Sequence, residues 1–489
     1  MQKIMIDPIT RLEGHGKITL FLNDEGDLEN AYFQIPELRG FEVFSLGRPA
    51  EEMPRITQRI CGVCPEAHHM AATKALDDLF HVEAPPVAHK VRELFYMAFY
   101  VTDHTTHFYA LGGPDFVVGP DAPAAERNIL GVVAAAGMEA GLAVINCRKR
   151  NHHAIKMLGG RAIHPVAGLP GGWSVAVTPE MRDELVRIAE ENVEFARFSL
   201  QLVDDIVLKN QAYVDLIVGG AYTTPIHYMG LVDANNHVNF YDGKVRVVDP
   251  DGVEVVRYAP HEYTQHIAEH VEPFSYLKFP YLKAKGWKGF VGGKESGVYA
   301  ATPLSRLNAA DGMATPLAQE AYEKFYATLG GKPVHHTLAC HWARVIEMMY
   351  AAERMLELAR DPEITNPNVR NIPTETPTEG IGIVEAPRGT LTHHYATDAN
   401  GILTMVNLIV GTTNNNAPIT MSIKQAAQAL IKKGEVITDG LLNKIEMAFR
   451  SYDPCFSCAT HSLPGQMPLE VEVLDASGNV LKRLSQYVD

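Results

Sequence analysis

Cys61 and Cys64 near one end of the chain, and Cys455 and Cys458 near the other, form two Cys-x-x-Cys pairs, each with a histidine close by. The first runs Arg59-Ile60-Cys61-Gly62-Val63-Cys64-Pro65-Glu66-Ala67-His68, the second Asp453-Pro454-Cys455-Phe456-Ser457-Cys458-Ala459-Thr460-His461. Thiolates gathered at one point bind a soft or borderline metal. Nearly the whole chain separates the pairs, so a site made from both closes the fold rather than stapling a small loop. Three chemistries compete. Structural zinc suits four cysteines, but its knuckles ordinarily stand about 15 to 20 residues apart. Dithiol redox work expects a βαβ context that neither pair has. A catalytic metal centre with open positions gains support from Arg59, His68, Asp453 and His461, the kind of polar groups that orient metal ligands.

The elements that must position these residues follow from periodicity. Residues 16–35 alternate apolar and polar around the turn Asn23-Asp24-Glu25-Gly26, a β-hairpin that leads into the first cysteine motif. Helical spacing covers about Val87 to Leu111, Ala124 to Leu158 and 179 to 218, the last opened by Thr178 as N-cap with Pro179 behind it. Residues 225–262 read as a small β-meander, and helix returns near 315–328 and 337–361. Residues 381–412 read as strand, turn and strand, with the turn at Asp398-Ala399-Asn400-Gly401. Helices follow near 421–431 and 439–450, and Pro468 to Gln486 reads as a hairpin turning at Asp475-Ala476-Ser477-Gly478. The fold class is α+β, predominantly helical, with a central bundle of long helices and peripheral β-hairpins.

The 489 residues, 46% of them hydrophobic, suffice for one large core, and low-complexity tracts are absent. A formal net charge of −15 argues against nucleic-acid binding and adhesion to anionic membranes. The run Arg148-Lys149-Arg150 reads as a solvated helix face or a partner contact. Six cysteines are too few for a disulfide scaffold, and Cys147 and Cys340 stand in apolar helical contexts as buried thiols. With no apolar leader and no membrane span, a cytoplasmic location is the expectation.

The chain resembles the large subunit of a [NiFe] hydrogenase over its full length. Beside the two cysteine motifs, it carries Asp7-Pro8-Ile9-Thr10-Arg11-Leu12-Glu13-Gly14-His15, Arg39-Gly40-Phe41-Glu42, Gly160-Arg161-Ala162-Ile163-His164-Pro165 and Glu385-Ala386-Pro387-Arg388-Gly389 in order. The quinone-site subunit of respiratory complex I is similar in fold but lacks the nickel-binding cysteines. A zinc-holding or metal-free electron-transfer subunit of that kind is the alternative reading.

The resemblance implies reversible heterolytic cleavage of H2. Cys61 and Cys455 would be terminal ligands of nickel, and Cys64 and Cys458 would bridge it to an iron carrying carbon monoxide and cyanide. The base would be the Cys455 thiolate or Arg388, and Arg388 would polarise H2 over the metals, anchored by Asp115 and Asp453. Glu13 would be the first proton relay, and His68 would donate to the sulfur of a bridging cysteine. Glu42, the carbonyl of Leu408 and His461 would ligate Mg(II) or Fe(II). A maturation protease would cut after His461, leaving residues 1–461 as a single domain and removing 462–489 once nickel-insertion proteins have acted. Only two cysteines remain for any iron–sulfur relay, so an iron–sulfur small subunit is required. His393-His394-Tyr395 and Asn414-Asn415-Asn416-Ala417-Pro418 resemble the cytoplasmic bidirectional group. Its further subunits would pass electrons to NAD(P), to F420 or, the preferred reading, to a heterodisulfide-reductase and ferredoxin system. No Gly-x-Gly-x-x-Gly fingerprint makes this chain the nucleotide binder.

Overall fold

The chain begins with three antiparallel strands, β1 (Gln2–Ile6), β2 (Lys17–Leu22) and β3 (Leu28–Gln34). The expected hairpin is β2–β3, and β1 adds itself to the free edge of β2. After the first cysteine motif come α1 (Pro65–Leu79), α2 (Pro86–Thr106), α3 (Met138–Gly159) and α4 (Pro179–Leu202). A meander of β4 (His227–Val232), β5 (Lys244–Val248) and β6 (Glu254–Tyr258) precedes α5 (Cys340–Arg360). Then follow β7 (Glu379–Ala386), β8 (Gly389–Thr397), β9 (Leu403–Ile409), α6 (Asn416–Leu430) and α7 (Asp439–Arg450). This computed structural model describes residues 2–38, 40–434 and 436–459 and the strands β10 (Glu470–Leu474) and β11 (Val480–Ser485), which pair antiparallel. His461 and the expected turn at 475–478 lie outside the described residues.

Helices α2 to α5 pack as the expected central bundle. From Val91 to Thr105 α2 is buried on every face, as a helix in the middle of a core must be. Asp103 and His104 therefore lie where a polar group needs a partner. At its end α2 widens into a π-helical turn, His107–Gly112, which the regular apolar spacing of the sequence does not announce. The expected helix over 124–158 breaks at Gly137, whose φ is 92°, into Ile129–Ala136 and α3. The Thr178 hydroxyl accepts from the Met181 N–H, as expected of an N-cap.

Two arrangements aim the cysteine motifs at each other. First, β7 lies directly on α1, where Gly380 and Gly382 permit contact. A Cβ on Gly382 would stand 2.1 Å from the Ala71 carbonyl oxygen, and one on Gly380 would stand 2.3 Å from that of Ala75. Second, the N-terminal sheet packs on α6 and α7 through one apolar cluster that includes Ile18, Phe33, Ile419, Phe449 and Phe456. The Phe33 ring lies 5.1 Å from Phe456 and 6.2 Å from Phe449, centroid to centroid. Burying each such side chain stabilises by about 1.5–3 kcal/mol, so the two ends of the chain are held together before any metal enters.

Residues 379–409 form three strands rather than the expected two. Pro387 and Arg388 make a two-residue turn between Ala386 and Gly389, which pair with each other. Gly389 has φ 148°, and a Cβ there would meet the Gly411 carbonyl oxygen at 2.4 Å. Only glycine fits. The turn at Asp398 stands where expected, between β8 and β9. Among the described residues no helix is long and apolar enough to cross a membrane.

Candidate metal centre

Cys64 sits at the N-cap of α1, and Pro65 begins the helix behind it. The N–H groups of Val63 and Cys64 donate to Cys61 Sγ at 3.2 and 3.3 Å. The second pair follows α7, with Cys458 in the short helix Phe456–Ala459. A parallel bridge joins Glu13 to Cys455, and the Phe456 N–H donates to the Glu13 carbonyl at 3.0 Å. All four cysteines are buried, with their sulfurs within 4.8 Å of one another. Cys61 Sγ lies 3.2 Å from Cys455 Sγ, Cys64 Sγ 3.5 Å from Cys458 Sγ, and Cys455 Sγ 3.0 Å from Cys458 Sγ.

This cluster cannot ionise fully by itself. Burial opposes a charge on Cys61, but hydrogen bonds from the other sulfurs and the positive Arg388 hold its thiol well below the usual value. The same bonds from Cys455 and Cys458 pull Cys64 down, yet Cys61 and burial push it up to about 11. Burial and neighbouring sulfurs drive Cys455 and Cys458 up as well. One thiolate is stable and the others wait for a cation, the donor set of a soft, multiply charged metal.

Arg388 lines the same cavity as Cys64, His68, Cys455 and Cys458. Its Nη1 lies 3.1 Å from Asp103 Oδ2 and its Nη2 3.0 Å from Asp453 Oδ2. Asp453 is therefore placed as expected, and Asp115 is not. Asp115 pairs with Arg11 at 2.5 Å and with Arg450 at 3.2 Å, and accepts from Asn443. The reason is geometric: Asp115 lies beyond the π-helical turn, facing the N-terminal motif and α7, whereas Asp103 projects from within the central helix. The carboxyl that the sequence reading missed carried one signal, an acid in the middle of an apolar helical stretch. Burial raises Asp103 to about 6 against the pull of Arg388, while Arg388 and His107 overcome burial and hold Asp453 well below the usual carboxylate range.

On the opposite side, Cys455 Sγ lies 2.9 Å from Glu13 Oε2, which also accepts the Ser457 N–H at 3.1 Å. The Ser457 hydroxyl donates to Glu13 Oε1. His68 Nε2 stands 3.5 Å from Cys458 Sγ, and its Nδ1 stands 3.2 Å from His393 Nε2, a partner the sequence did not indicate. Burial lowers His68 to about 4, so the ring is neutral at pH 7.

Glu42 lies in a single helical turn, Phe41–Phe44. Its Oε1 accepts the Leu408 N–H at 2.8 Å, so Leu408 meets it through its N–H. The Leu408 carbonyl leaves the strand on the same edge, as the N–H and C=O of one strand residue do. Lys278, not foreseen, brings its ammonium to 3.1 Å from Glu42 and 3.5 Å from Glu269. Burial raises both carboxyls. Glu269 Oε1 is buried without a hydrogen-bond partner. Two carboxyls facing one ammonium, with an orphaned oxygen, suit a further hard cation.

Comparison with known proteins agrees with this geometry. A family model described as nickel-dependent hydrogenase matches residues 39–128 and 133–461, and one described as HoxL-like matches residues 3–38. An F420-non-reducing hydrogenase iron-sulfur subunit of Archaeoglobus profundus is 50% identical over 100% of both chains. The NAD-reducing hydrogenase HoxS subunit beta of Cupriavidus necator is 38% identical over 98% of this chain and 99% of that one. The crystal structure of an NAD+-reducing [NiFe]-hydrogenase in the H2-reduced state superposes with a TM-score of 0.88 at 37% identity, covering 94% of this chain and 100% of that one.

Proposed function

This chain belongs to the nickel-dependent hydrogenase family and is its catalytic large subunit, and on that premise we propose roles for its residues. Cys61 and Cys455 would hold nickel as terminal ligands, and Cys64 and Cys458 would hold both nickel and an iron carrying carbon monoxide and cyanide. The observation that carries this reading is the meeting of four buried sulfurs, drawn from both ends of the chain, that cannot all ionise without a metal. When bound, the nickel–iron pair supplies the Lewis-acid polarisation that splits H2 into protons and electrons. A zinc-holding or metal-free electron-transfer subunit is not favoured in a family defined by nickel.

The chain's own groups handle the proton and the geometry. Cys455 Sγ takes the proton, and Glu13 Oε2 receives it across 2.9 Å. Ser457 fixes the carboxylate through its N–H and hydroxyl, which keeps Oε2 aimed at the sulfur. Arg388 stays charged, because Asp103 and Asp453 more than offset its burial. It orients H2 and holds positive charge over the sulfurs. His68 donates its Nε2–H to Cys458, which tempers that thiolate. Glu42 and the Leu408 carbonyl would hold Mg(II), with His461 the further ligand that the family resemblance implies, and Lys278 and Glu269 stand beside Glu42.

Electrons leave through an iron–sulfur small subunit, because the two remaining cysteines, Cys147 and Cys340, are buried thiols far apart in sequence. Val63, between the first cysteines, and Val43, Phe44 and Leu46, beside Glu42, are exposed apolar side chains that suit such a contact. The complex works in the cytoplasm and passes electrons through further subunits to a heterodisulfide-reductase and ferredoxin system. The F420-non-reducing names of several relatives agree with an acceptor other than F420. A maturation protease removes residues 462–489 after nickel-insertion proteins have acted, leaving 1–461 as one domain.

Infrared spectroscopy of the purified native complex tests the centre. Bands from iron-bound carbon monoxide and cyanide, with about one nickel per chain, are the expected result. Zinc alone, without those bands, would refute the assignment.

A further inference from the structure

Arg388 is held at its backbone and at both guanidinium Nη atoms, while its Nε has no hydrogen-bond partner. Asn415 Nδ2 donates to its carbonyl at 2.7 Å. Arg306 donates to the carbonyls of Ala386 and Pro387, the two residues before it, at 3.0 and 3.2 Å. Asp103 and Asp453 take the two ends of its guanidinium. Asp103 is held by the central helix that carries it. Asp453 stands in a loop, with φ 54°, a left-handed conformation that aspartate enters more readily than most residues.

The group that meets Asp453 from the other side is His107. Its Nδ1 lies 2.9 Å from Asp453 Oδ1, an ion-pair contact off the line of a hydrogen bond. Its Nε2 lies 3.3 Å from His341 Nδ1, and the two rings stack at 5.3 Å with 11° between their planes. Gly112 makes room for this pair, since a Cβ there would stand 2.7 Å from the His341 ring. Arg344, the remaining charge on Asp453, stays 3.9 Å from Oδ2. Asp103 and His107 are one helical turn apart and share a face. One stretch of helix thus supplies both the acid on Nη1 and the imidazole behind the acid on Nη2.

We infer that His107 is a positioning residue for the hydrogenase reaction. It fixes Asp453 and, through Asp453, sets Arg388 over the cysteine sulfurs. This rests on the role given to Arg388 above. Because burial keeps His107 neutral, the ring has one proton to give. A proton on Nδ1 faces the carboxylate at 2.9 Å and leaves Nε2 to accept from His341 Nδ1–H at 3.3 Å.

The test uses the purified hydrogenase complex. His107→Leu removes the donor and keeps an apolar filler, while His107→Asn returns a donor near the Nδ1 position. His107→Leu is expected to lower kcat for H2-dependent dye reduction about tenfold or more, with KM for H2 and nickel content unchanged. His107→Asn is expected to recover most of the loss. In a crystal structure of the leucine variant, the Arg388 guanidinium should have left its place over the sulfurs. An unchanged kcat, equal losses in the two variants, or an unmoved Arg388 would each overturn the inference. Should the leucine variant not accumulate, the asparagine variant decides alone: most of the kcat retained with Arg388 in place supports the inference, and a loss as large as that of Arg388→Lys overturns it. If Arg388→Lys itself leaves kcat unchanged, the assignment of Arg388 falls. If it lowers kcat while His107→Leu does not, only the inference about His107 falls.

Discussion

Glu13 touches the cluster twice, through its carboxylate on Cys455 Sγ and through backbone bonds to the segment around Cys455. Its amide isostere keeps the size and the backbone pairing but cannot take a proton. Glu13→Gln should therefore load nickel normally and lose H2-dependent dye reduction by roughly 100-fold or more, as metal analysis and a dye assay on one preparation would show. Asp103 gives a pH dependence whose sign is fixed. Burial raises it to about 6, so its ion pair with Arg388 is present above that pH and lost as pH falls through it. The rate profile should show an acid limb with a midpoint near 6, and Asp103→Asn should remove that limb and hold the rate at its acid-side level. At this scale the sequence showed the cysteines, Glu13, His68, Arg388 and Asp453, because each sits in or beside a short local motif. It did not show which acid meets Nη1 of Arg388, because Asp103 and Arg388 are 285 residues apart and only the folded helix brings them together.

Among the elements, the pair α1 and β7 sets the position of the first cysteine motif. Gly382 allows the strand to lie on the helix with no side chain between them, and a methyl there would strike backbone atoms of Ala71 and Ala75 at 2.1 and 2.4 Å. Backbone cannot rotate away, so α1 must shift, and Cys64 at its N-cap shifts with it. Gly382→Ala should cost about 1–3 kcal/mol and lower nickel occupancy in parallel, read by thermal unfolding and metal analysis. Unchanged occupancy would mean that α1 does not set the cysteine geometry. The helix start marked by Pro179, and hairpins marked by Asn23 and Asp398, were legible because local turn chemistry writes them, whereas the helix behind Pro65 was not read. The π-helical turn after α2 and the Pro387–Arg388 turn were not. Tertiary packing imposes the first, and the second carried a turn signal in Pro387 and Gly389 that the reading of 381–412 as two strands did not use. Lys278 and Glu269 likewise stand on paired strands whose register, not their composition, brings them to Glu42.

For the molecule as a whole, the metal site is the point where the two ends of the chain close on each other. Loading it adds bonds across that closure, and a ligand that binds only the folded form stabilises it by mass action. The nickel-loaded chain should unfold at a higher temperature than the same chain prepared without nickel, with the difference abolished in Cys61→Ala. Differential scanning calorimetry of the two preparations would read it, and equal midpoints would argue against a centre that joins both ends. The α+β class and the helical core were legible as periodicity, and the convergence only as the presence of two like motifs, because the aromatic contacts of Phe33 with Phe449 and Phe456 have no signature in one dimension. The bridge from Glu13 to Cys455 has a consequence in time. Cys455 leaves the ribosome 391 residues after Cys64, a delay of roughly 20 to 80 s at bacterial and eukaryotic elongation rates. For that whole interval the early thiols are half a pocket, open to the wrong ion, and correct filling is an event of the finished polypeptide.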